Sequence, residues 1–322
     1  MTKILLGAAL PALLAFGAIH SATAQTRIVF QEWVTAKVKK PTSYWQIFSM
    51  NPDGSDVVQL TSANASAYCP SWSPGQKYIA FSRNQTLYVM EAKGEANGGR
   101  TFPVAPATSG GGSAWSPDGA NLVYEGTNNG NLYIVPVNAD AGTAGTPVLF
   151  RSGWYSDPSW SPDGARIAFW GSDDGNNPFL IHVREAAATS SEPDLLTFGA
   201  VLADNSSPVN YDPQWSPDGT LIAFSGPVTV TVTTKKGTST TGAMEIFTAN
   251  ADGSGITRQT FLKSFTIFPT WSPDGTTIAF SSDVSDVSTG TESVYKMVLV
   301  SNPADNVITL LHSDGQAPDW NP

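Results

Sequence analysis

Tyr211-Asp212-Pro213-Gln214-Trp215-Ser216-Pro217-Asp218-Gly219-Thr220-Leu221-Ile222-Ala223-Phe224 is the stretch that decides the fold. Ser216 to Gly219 encodes a tight turn. Pro217 holds φ at about −65°, Asp218 bonds the following backbone, and Gly219 tolerates positive φ. The apolar run Leu221-Ile222-Ala223-Phe224 then suits a strand buried on both faces. Trp-Ser-Pro-Asp-Gly recurs at Trp115, Trp160, Trp215 and Trp271, with a degenerate Trp-Ser-Pro-Gly at Trp72 and a truncated Trp-Asn-Pro at Trp320. Successive tryptophans stand 43, 45, 55, 56 and 49 residues apart. A period of roughly 40–50 residues is one four-stranded blade of a β-propeller.

The strand after each turn repeats as well: Tyr78-Ile79-Ala80-Phe81, Asn121-Leu122-Val123-Tyr124, Arg166-Ile167-Ala168-Phe169 and Thr277-Ile278-Ala279-Phe280. A third strand follows, as in Leu87 to Met90, Leu132 to Val135 and Glu245 to Thr248. The fourth comes after an Asp-Gly turn at Asp53-Gly54 and Asp252-Gly253, ending near Leu60-Thr61 or Gln259-Thr260. The first unit has its second strand (Arg27-Ile28-Val29-Phe30) and the later pair, but no Trp motif; Trp320 has the motif with nothing after it. Together they make one blade. The expected fold is therefore all-β, a six-bladed β-propeller whose N- and C-terminal segments share a blade, which removes the exposed edges of an open ring. The motif tryptophans read as packing between blades.

Composition agrees with that ring. Among 322 residues are 29 Gly and 23 Pro, which break helices, and 14% are charged, well below the roughly 25% of average soluble domains. Coiled coils, helical bundles and charged disordered chains are excluded. A net charge of −10 argues against a nucleic-acid partner, because phosphates need Lys and Arg surfaces.

Lys3, the apolar run Ile4 to Ile19 and Ala22-Thr23-Ala24 read as a secretory signal over residues 1–24, with an uncleaved anchor as the alternative. Residues 25–322 form the single expected domain, periplasmic or secreted, monomeric, and without membrane insertion after cleavage. Cys69 is the single cysteine, so no internal disulfide is expected, and it reads as a small buried hydrophobe. Only His182 and His312 lie beyond the signal, so no metal site, cofactor or Ser–His catalytic relay is expected.

Pro213-Gln214-Trp215-Ser216-Pro217-Asp218-Gly219 with Ile222-Ala223-Phe224, and Ile47-Phe48-Ser49-Met50-Asn51-Pro52-Asp53-Gly54-Ser55 with Leu60-Thr61, resemble the repeat of TolB-type six-bladed propellers. The resemblance runs over about residues 27 to 322. It implies a propeller in the cell envelope. TolB carries an N-terminal α/β domain, whereas only Gln25-Thr26 separate the expected cleavage point from the first strand here. Similar repeats form the propeller of prolyl-oligopeptidase-type peptidases, but the Gly-x-Ser-x-Gly of their hydrolase domain is absent.

Function is expected where each inner strand begins, at the mouth of the central channel: Ser66–Cys69, Ser109–Ser113, Gly153–Asp157, Asn210–Asp212, Ser264–Phe268 and Asp314–Ala317. The position three before each Trp reads Cys69, Gly112, Asp157, Asp212, Phe268 and Ala317. Asp157 and Asp212, with Tyr68, Trp154, Tyr155, Tyr211 and Phe268, outline an acidic, aromatic mouth able to hold a cationic side chain, a sugar ring or a cation. The plainer alternative is that both carboxylates brace Asp-Pro turns.

Three further segments have bland readings. Ser172 to Asn177 and Ser282 to Gly290 are oxygen-rich but lack an EF-hand pattern, and Lys37, Lys39 and Lys40 make a small basic loop. Gly226 to Gly242 alternates as Val228-Thr229-Val230-Thr231-Val232-Thr233 and predicts a protruding hairpin turning at Lys235-Lys236-Gly237, a possible partner contact. The favoured function is a non-enzymatic scaffold that binds an envelope protein or small ligand. The alternative is a carbohydrate hydrolase or lyase using Asp157 and Asp212 as paired carboxylates.

Overall fold

The computed structural model describes residues 26–35, 42–62, 64–108, 110–127, 130–176, 178–200, 209–234, 237–284 and 291–320. The signal segment, the three lysines of the basic loop, Ser109, Asn177, Lys235-Lys236 and residues 285–290 lie outside them.

The described residues form six antiparallel sheets, each built mainly of four strands. From channel to rim, blade 1 runs Gly315–Asp319, Ile28–Thr35, Ser43–Met50 and Val58–Gln59. Blade 2 is Ala67–Trp72, Tyr78–Arg83, Thr86–Glu91 and Thr101–Pro106; blade 3 is Ser113–Trp115, Asn121–Glu125, Leu132–Asn138 and Val148–Arg151, with the short Thr143–Ala144 also on its third strand. Blade 4 comprises Trp154–Trp160, Arg166–Ser172, Leu180–Glu185 and Leu196–Phe198. Blade 5 comprises Tyr211–Trp215, Leu221–Thr234, Gly237–Asn250 and Thr257–Arg258; blade 6 comprises Thr266–Trp271, Thr277–Ser282, Ser293–Val298 and Val307–His312. Neighbouring inner strands touch in cyclic order, and blade 1 meets both blade 6 and blade 2. The ring is a closed six-bladed propeller. Helical structure among the described residues is limited to three single 3₁₀ turns.

Closure follows the shared-blade reading. Gly315–Asp319 pairs antiparallel with Ile28–Thr35, setting Val29 against Asp319 and Gln31 against Gln316. The hairpin of blade 5 is longer than its neighbours, with paired strands of 14 residues. Val228 and Val230 turn inward against Ala200 and Phe247, while Thr229 and Thr231 face solvent.

The motif residues act as the turn chemistry demands. In the four complete copies the Asp carboxylate accepts the Ser hydroxyl and the N–H two residues on, from Ala120, Ala165, Thr220 or Thr276 at 3.0 Å. The Ser oxygen in turn accepts an N–H of the next strand at 2.9–3.0 Å. The closing glycines sit at φ of +69° to +72°, a region that costs any other L-residue strain.

Each second strand supplies the core that lies between sheets. Phe30, Phe81, Phe169, Phe224 and Phe280 are fully buried, each contributing about 2–3 kcal/mol by burial. Together with Tyr124, each stacks on a ring of the third strand: Phe48, Tyr88, Tyr133, His182, Phe247 or Tyr295, at 5.5–5.9 Å. Trp72, Trp115, Trp215, Trp271 and Trp320 are buried between blades. Two of their indoles donate to the carbonyl of the blade before: Trp115 to Ser71 at 3.3 Å and Trp271 to Gln214 at 3.0 Å.

Candidate functional site: the mouth of the central channel

The inner strands of blades 2, 4, 5 and 6 share one irregularity. Register slips by a residue between Tyr68 and Ser71, Ser156 and Ser159, Tyr211 and Gln214, and Ile267 and Thr270, and a corresponding shift marks the pairing of blade 1's inner strand. At the slip stand Cys69, Asp157, Asp212, Phe268 and Ala317, all with φ between +46° and +55° and all followed by proline. Proline gives no N–H to the ladder, so the bulge comes where the sequence removes a donor. These five residues and Gly112 line a central cavity of about 310 Å³, which continues to Pro74, Pro117, Pro162 and Pro217 of the turns.

Asp157 and Asp212 meet there. Both side chains line the cavity, and each acts on the other electrostatically. Burial pushes both above the usual carboxylate range, and Asp212, which also feels the Asp157 charge, is pushed well above it. The Trp170 indole donates to Asp157 Oδ2 at 2.6 Å. Asp212 Oδ2 accepts the Phe268 N–H at 3.1 Å and the Ser225 hydroxyl at 3.2 Å. Neither carboxylate holds its own Asp-Pro turn in these bonds; Asp212 instead ties blade 5 to blade 6.

Gly112 stands against the pair. A Cβ at that position would fall 2.3 Å from Asp157 Oδ1, so the missing side chain makes room for the carboxyl. Cys69 is half-buried on the channel wall rather than sealed in the core, and its thiol donates to the Gly110 carbonyl at 3.1 Å. Burial, then the charges of Asp157, Asp212 and Glu125, push that thiol well above its ordinary range. It is therefore a poor nucleophile.

The other predicted mouth residues divide. Phe268 lines the cavity with the two aspartates. Tyr211 sits beside them, edge-on to Trp170 at 4.6 Å. Tyr68 is half-buried at the start of its strand, paired with Ser82. Trp154 lies half-exposed at the start of the inner strand of blade 4, against Gly175, and is not among the residues that line the cavity. Tyr155 is turned away into its blade, 1% exposed, between Phe169 and His182, with its hydroxyl donating to Asp173. The bulge at Asp157 reverses the alternation of the strand and sends Tyr155 inward.

Two mouth residues escape the motif reading. Glu125 accepts the Ser156 hydroxyl at 2.6 Å; burial pushes it up, and Asp157 adds to the effect. Trp170 holds Asp157. Both stand one place beyond the aromatic residue of the second strand, where the six repeats read Gln31, Ser82, Glu125, Trp170, Ser225 and Ser281. The signal was there: an acid and an indole interrupt a series of small or amide side chains. Several members of this series accept a neighbouring blade's N–H, as Gln31 does from Cys69 at 2.8 Å and Ser281 from Ala317 at 3.0 Å.

The Ser172–Asn176 segment is more than a solvated turn. Arg151 pairs with Asp173 at 2.7 Å, and Asp174 accepts the Ser172 hydroxyl at 2.9 Å. Among the described residues no group of three or more His, Cys, Asp and Glu is placed to hold a metal ion.

Comparison with known proteins agrees with the geometry. The TolB beta propeller domain family matches residues 20–225, more than half of the chain. A protein described as a TolB from Agrobacterium tumefaciens superposes with a TM-score of 0.61 at 21% identity, over 91% of this chain and 90% of that one. TolB from Acinetobacter baumannii gives 0.63 at 17% identity, over 92% of this chain and 67% of its own. A chain of a nidogen/laminin complex gives 0.61 at 9% identity, over 91% and 97%, which shows shared fold alone. No curated protein matches the sequence significantly.

Proposed function

The chain belongs to the TolB β-propeller family, and from that premise we propose that it is a periplasmic, non-enzymatic binding module of the cell envelope that engages its partner at the channel mouth. One observation carries this reading: buried carboxyl groups from blades 3, 4 and 5 gather at the mouth, raised by burial, with no cation of the described residues among the groups acting on them. Charge held in this way costs free energy unless a ligand or partner uses it. The enzyme alternative is less well supported. Glycosidase carboxylates work about 5–5.5 or 6.5–9.5 Å apart, leaving room for the sugar and water. Here the Trp170 indole already occupies one oxygen of Asp157, and the Phe268 N–H and Ser225 hydroxyl one oxygen of Asp212.

A photo-crosslinking residue placed at Phe268, compared with one at Asp274 on the opposite face, tests the proposal in native envelopes. Partner adducts are expected at position 268 and should be lost in the Asp157→Asn/Asp212→Asn variant. Equal adducts from both faces, or adducts unaffected by the double variant, would overturn it.

A further inference from the structure

We propose that the protruding hairpin of blade 5 is a dimerisation edge, occupied by the same strand of a second copy of this chain, antiparallel about a two-fold axis at Val230. The inference is independent of the channel mouth and differs from the monomer expected from the sequence.

The hairpin outgrows its sheet. Its two strands pair without a break from Leu221 opposite Asn250 to Thr234 opposite Gly237. The inner strand of the blade accompanies them only as far as Ser225, opposite Tyr211, and the outer strand only as far as Phe247, opposite Arg258. Gly226 to Thr234 therefore has no strand on its inner side among the described residues. The opposite edge is partly taken, by a bridge from Met244 to Phe265.

The open edge is ready to pair. Met244 sends its N–H outward, to the Ser264 carbonyl at 3.1 Å, so Pro227 opposite it also turns its main chain away from the hairpin. By the same alternation, Thr229 and Thr231 direct N–H and C=O to the open edge. Natural edges avoid pairing by charge, proline or bulges. After Pro227, the stretch from Val228 to Thr234 has no charged residue, no further proline and no slip in register. Val228 and Val230 are buried with Ala200 and Phe247, which fixes the ribbon to the ring.

The sequence says which strand fits. The open stretch, Gly226 to Thr234, is centred on Val230. Antiparallel pairing of two copies about that residue sets Val230 opposite the partner's Val230 and Thr229 opposite the partner's Thr231. Each Thr229–Thr231 pair then exchanges main-chain hydrogen bonds in both directions. Valine falls on valine and threonine on threonine, and such β-branched pairs stabilise sheets. A slip of one residue would set valine against threonine, so the alternation fixes the register. An unrelated strand would match only by chance, whereas a two-fold axis makes the match self-complementary. Two strands alone are marginal in water; the pairing makes a four-stranded sheet.

Sedimentation velocity and hydrogen–deuterium exchange of the purified chain over a range of concentrations test this. The chain should pass from monomer to dimer. Exchange within residues 226–234 should slow as the dimer forms, while exchange at Thr257–Arg258 should not. Thr229 and Thr231 are exposed, so Thr229→Lys/Thr231→Lys should keep the melting temperature. With like charges opposed across the axis, it should weaken dimerisation about tenfold. Thr229→Asp/Thr231→Asp should act alike, and mixing the two variants should restore a dimer holding one copy of each. A chain monomeric at every concentration would overturn the proposal, as would a dimer that neither variant weakens, or a mixture that fails to associate. Protection of the hairpin in a monomer by an added envelope extract would mark it as a site for a foreign strand, and would also overturn it.

Discussion

The carboxylate of Asp319 accepts the main-chain N–H of Trp72 at 2.7 Å, joining residues 247 positions apart across the junction of blades 1 and 2. The same strand supplies the inner edge of blade 1. Removing Gln316 to Pro322 should unfold or aggregate the protein, seen by thermal melting and light scattering; an unchanged melting curve would contradict the closure. Asp319→Ala keeps the strand and loses both the charge-assisted bond to Trp72 and the long contact with the Thr270 hydroxyl, with an expected cost of about 1.5–3 kcal/mol.

Gly112→Ala probes the room made for Asp157. Its φ lies outside the left-handed region, so the expected effect is steric, from a Cβ 2.3 Å from Asp157 Oδ1. Stability in thermal melting should drop by about 1–3 kcal/mol. Unaltered melting would show that the contact relaxes without consequence.

Stability should peak at mildly acidic pH. Glu292 has one buried oxygen without a partner among the described residues, and burial, with Asp283 second, pushes it up to about 7 from 4.5. A raised acid contributes stability that is complete below its unfolded value and is lost as pH climbs through about 7. Asp212 and Glu125 act in the same direction. The turn residues Asp118, Asp163, Asp218 and Asp274 are held below the ordinary 3.8 mainly by their Ser hydroxyls, so their contribution is lost as pH falls below that value. Melting temperature measured from pH 3 to pH 9 should rise and then fall. Glu292→Gln should flatten the upper arm, which carries up to about 3 kcal/mol from this group.

His182→Phe would give blade 4 the aromatic pair that the other blades have. It should nevertheless destabilise. The imidazole meets Asp194 Oδ2 at 2.8 Å and the Gly171 carbonyl at 3.1 Å, and Arg184 and Arg151 depend on the same carboxylate. Orphaning these acceptors should cost about 1–3 kcal/mol in denaturant unfolding. A neutral or stabilising result would show that ring stacking dominates at this position.

The outer edge of blade 6 differs from the others. Blades 1 and 5 end in two-residue strands and blade 4 in a three-residue strand, while blade 2 carries Pro103 and Pro106. Val307–His312 is six residues long, without proline, and Leu310 is 49% exposed. Leu310→Lys should slow aggregation on heating, followed by light scattering, with little change in melting temperature.

The ring was legible because turn and strand are encoded together: Ser-Pro-Asp-Gly specifies the turn and Ile-Ala-Phe the buried strand beside it. The mouth was legible only in part. Asp157, Asp212 and Phe268 could be located by counting back from each Trp, since the bulge sits at a constant offset. Tyr155 could not, because one residue in the left-handed region reverses the inside–outside order on either side of it. Trp170 and Glu125 lie on the second strands of blades 4 and 3, and only the pairing of Ser156 with Trp170 and the Ser156–Glu125 hydrogen bond bring them beside Asp157. The protruding hairpin followed its alternation of Val and Thr, and its two long strands pair as that pattern requires.

Pairing Val29 with Asp319 also sets the order of events in folding. Blades 2 to 6 each draw all their strands from one continuous stretch and can assemble as that stretch becomes available. Blade 1 cannot, since its innermost strand, Gly315–Asp319, is made only after the strands of every other blade. Until then the assembling chain is an open arc with two bare sheet edges, exposed to pairing with any other unfinished copy. The rate of that final join, which depends on a contact spanning nearly the whole chain, should limit how fast a closed channel forms.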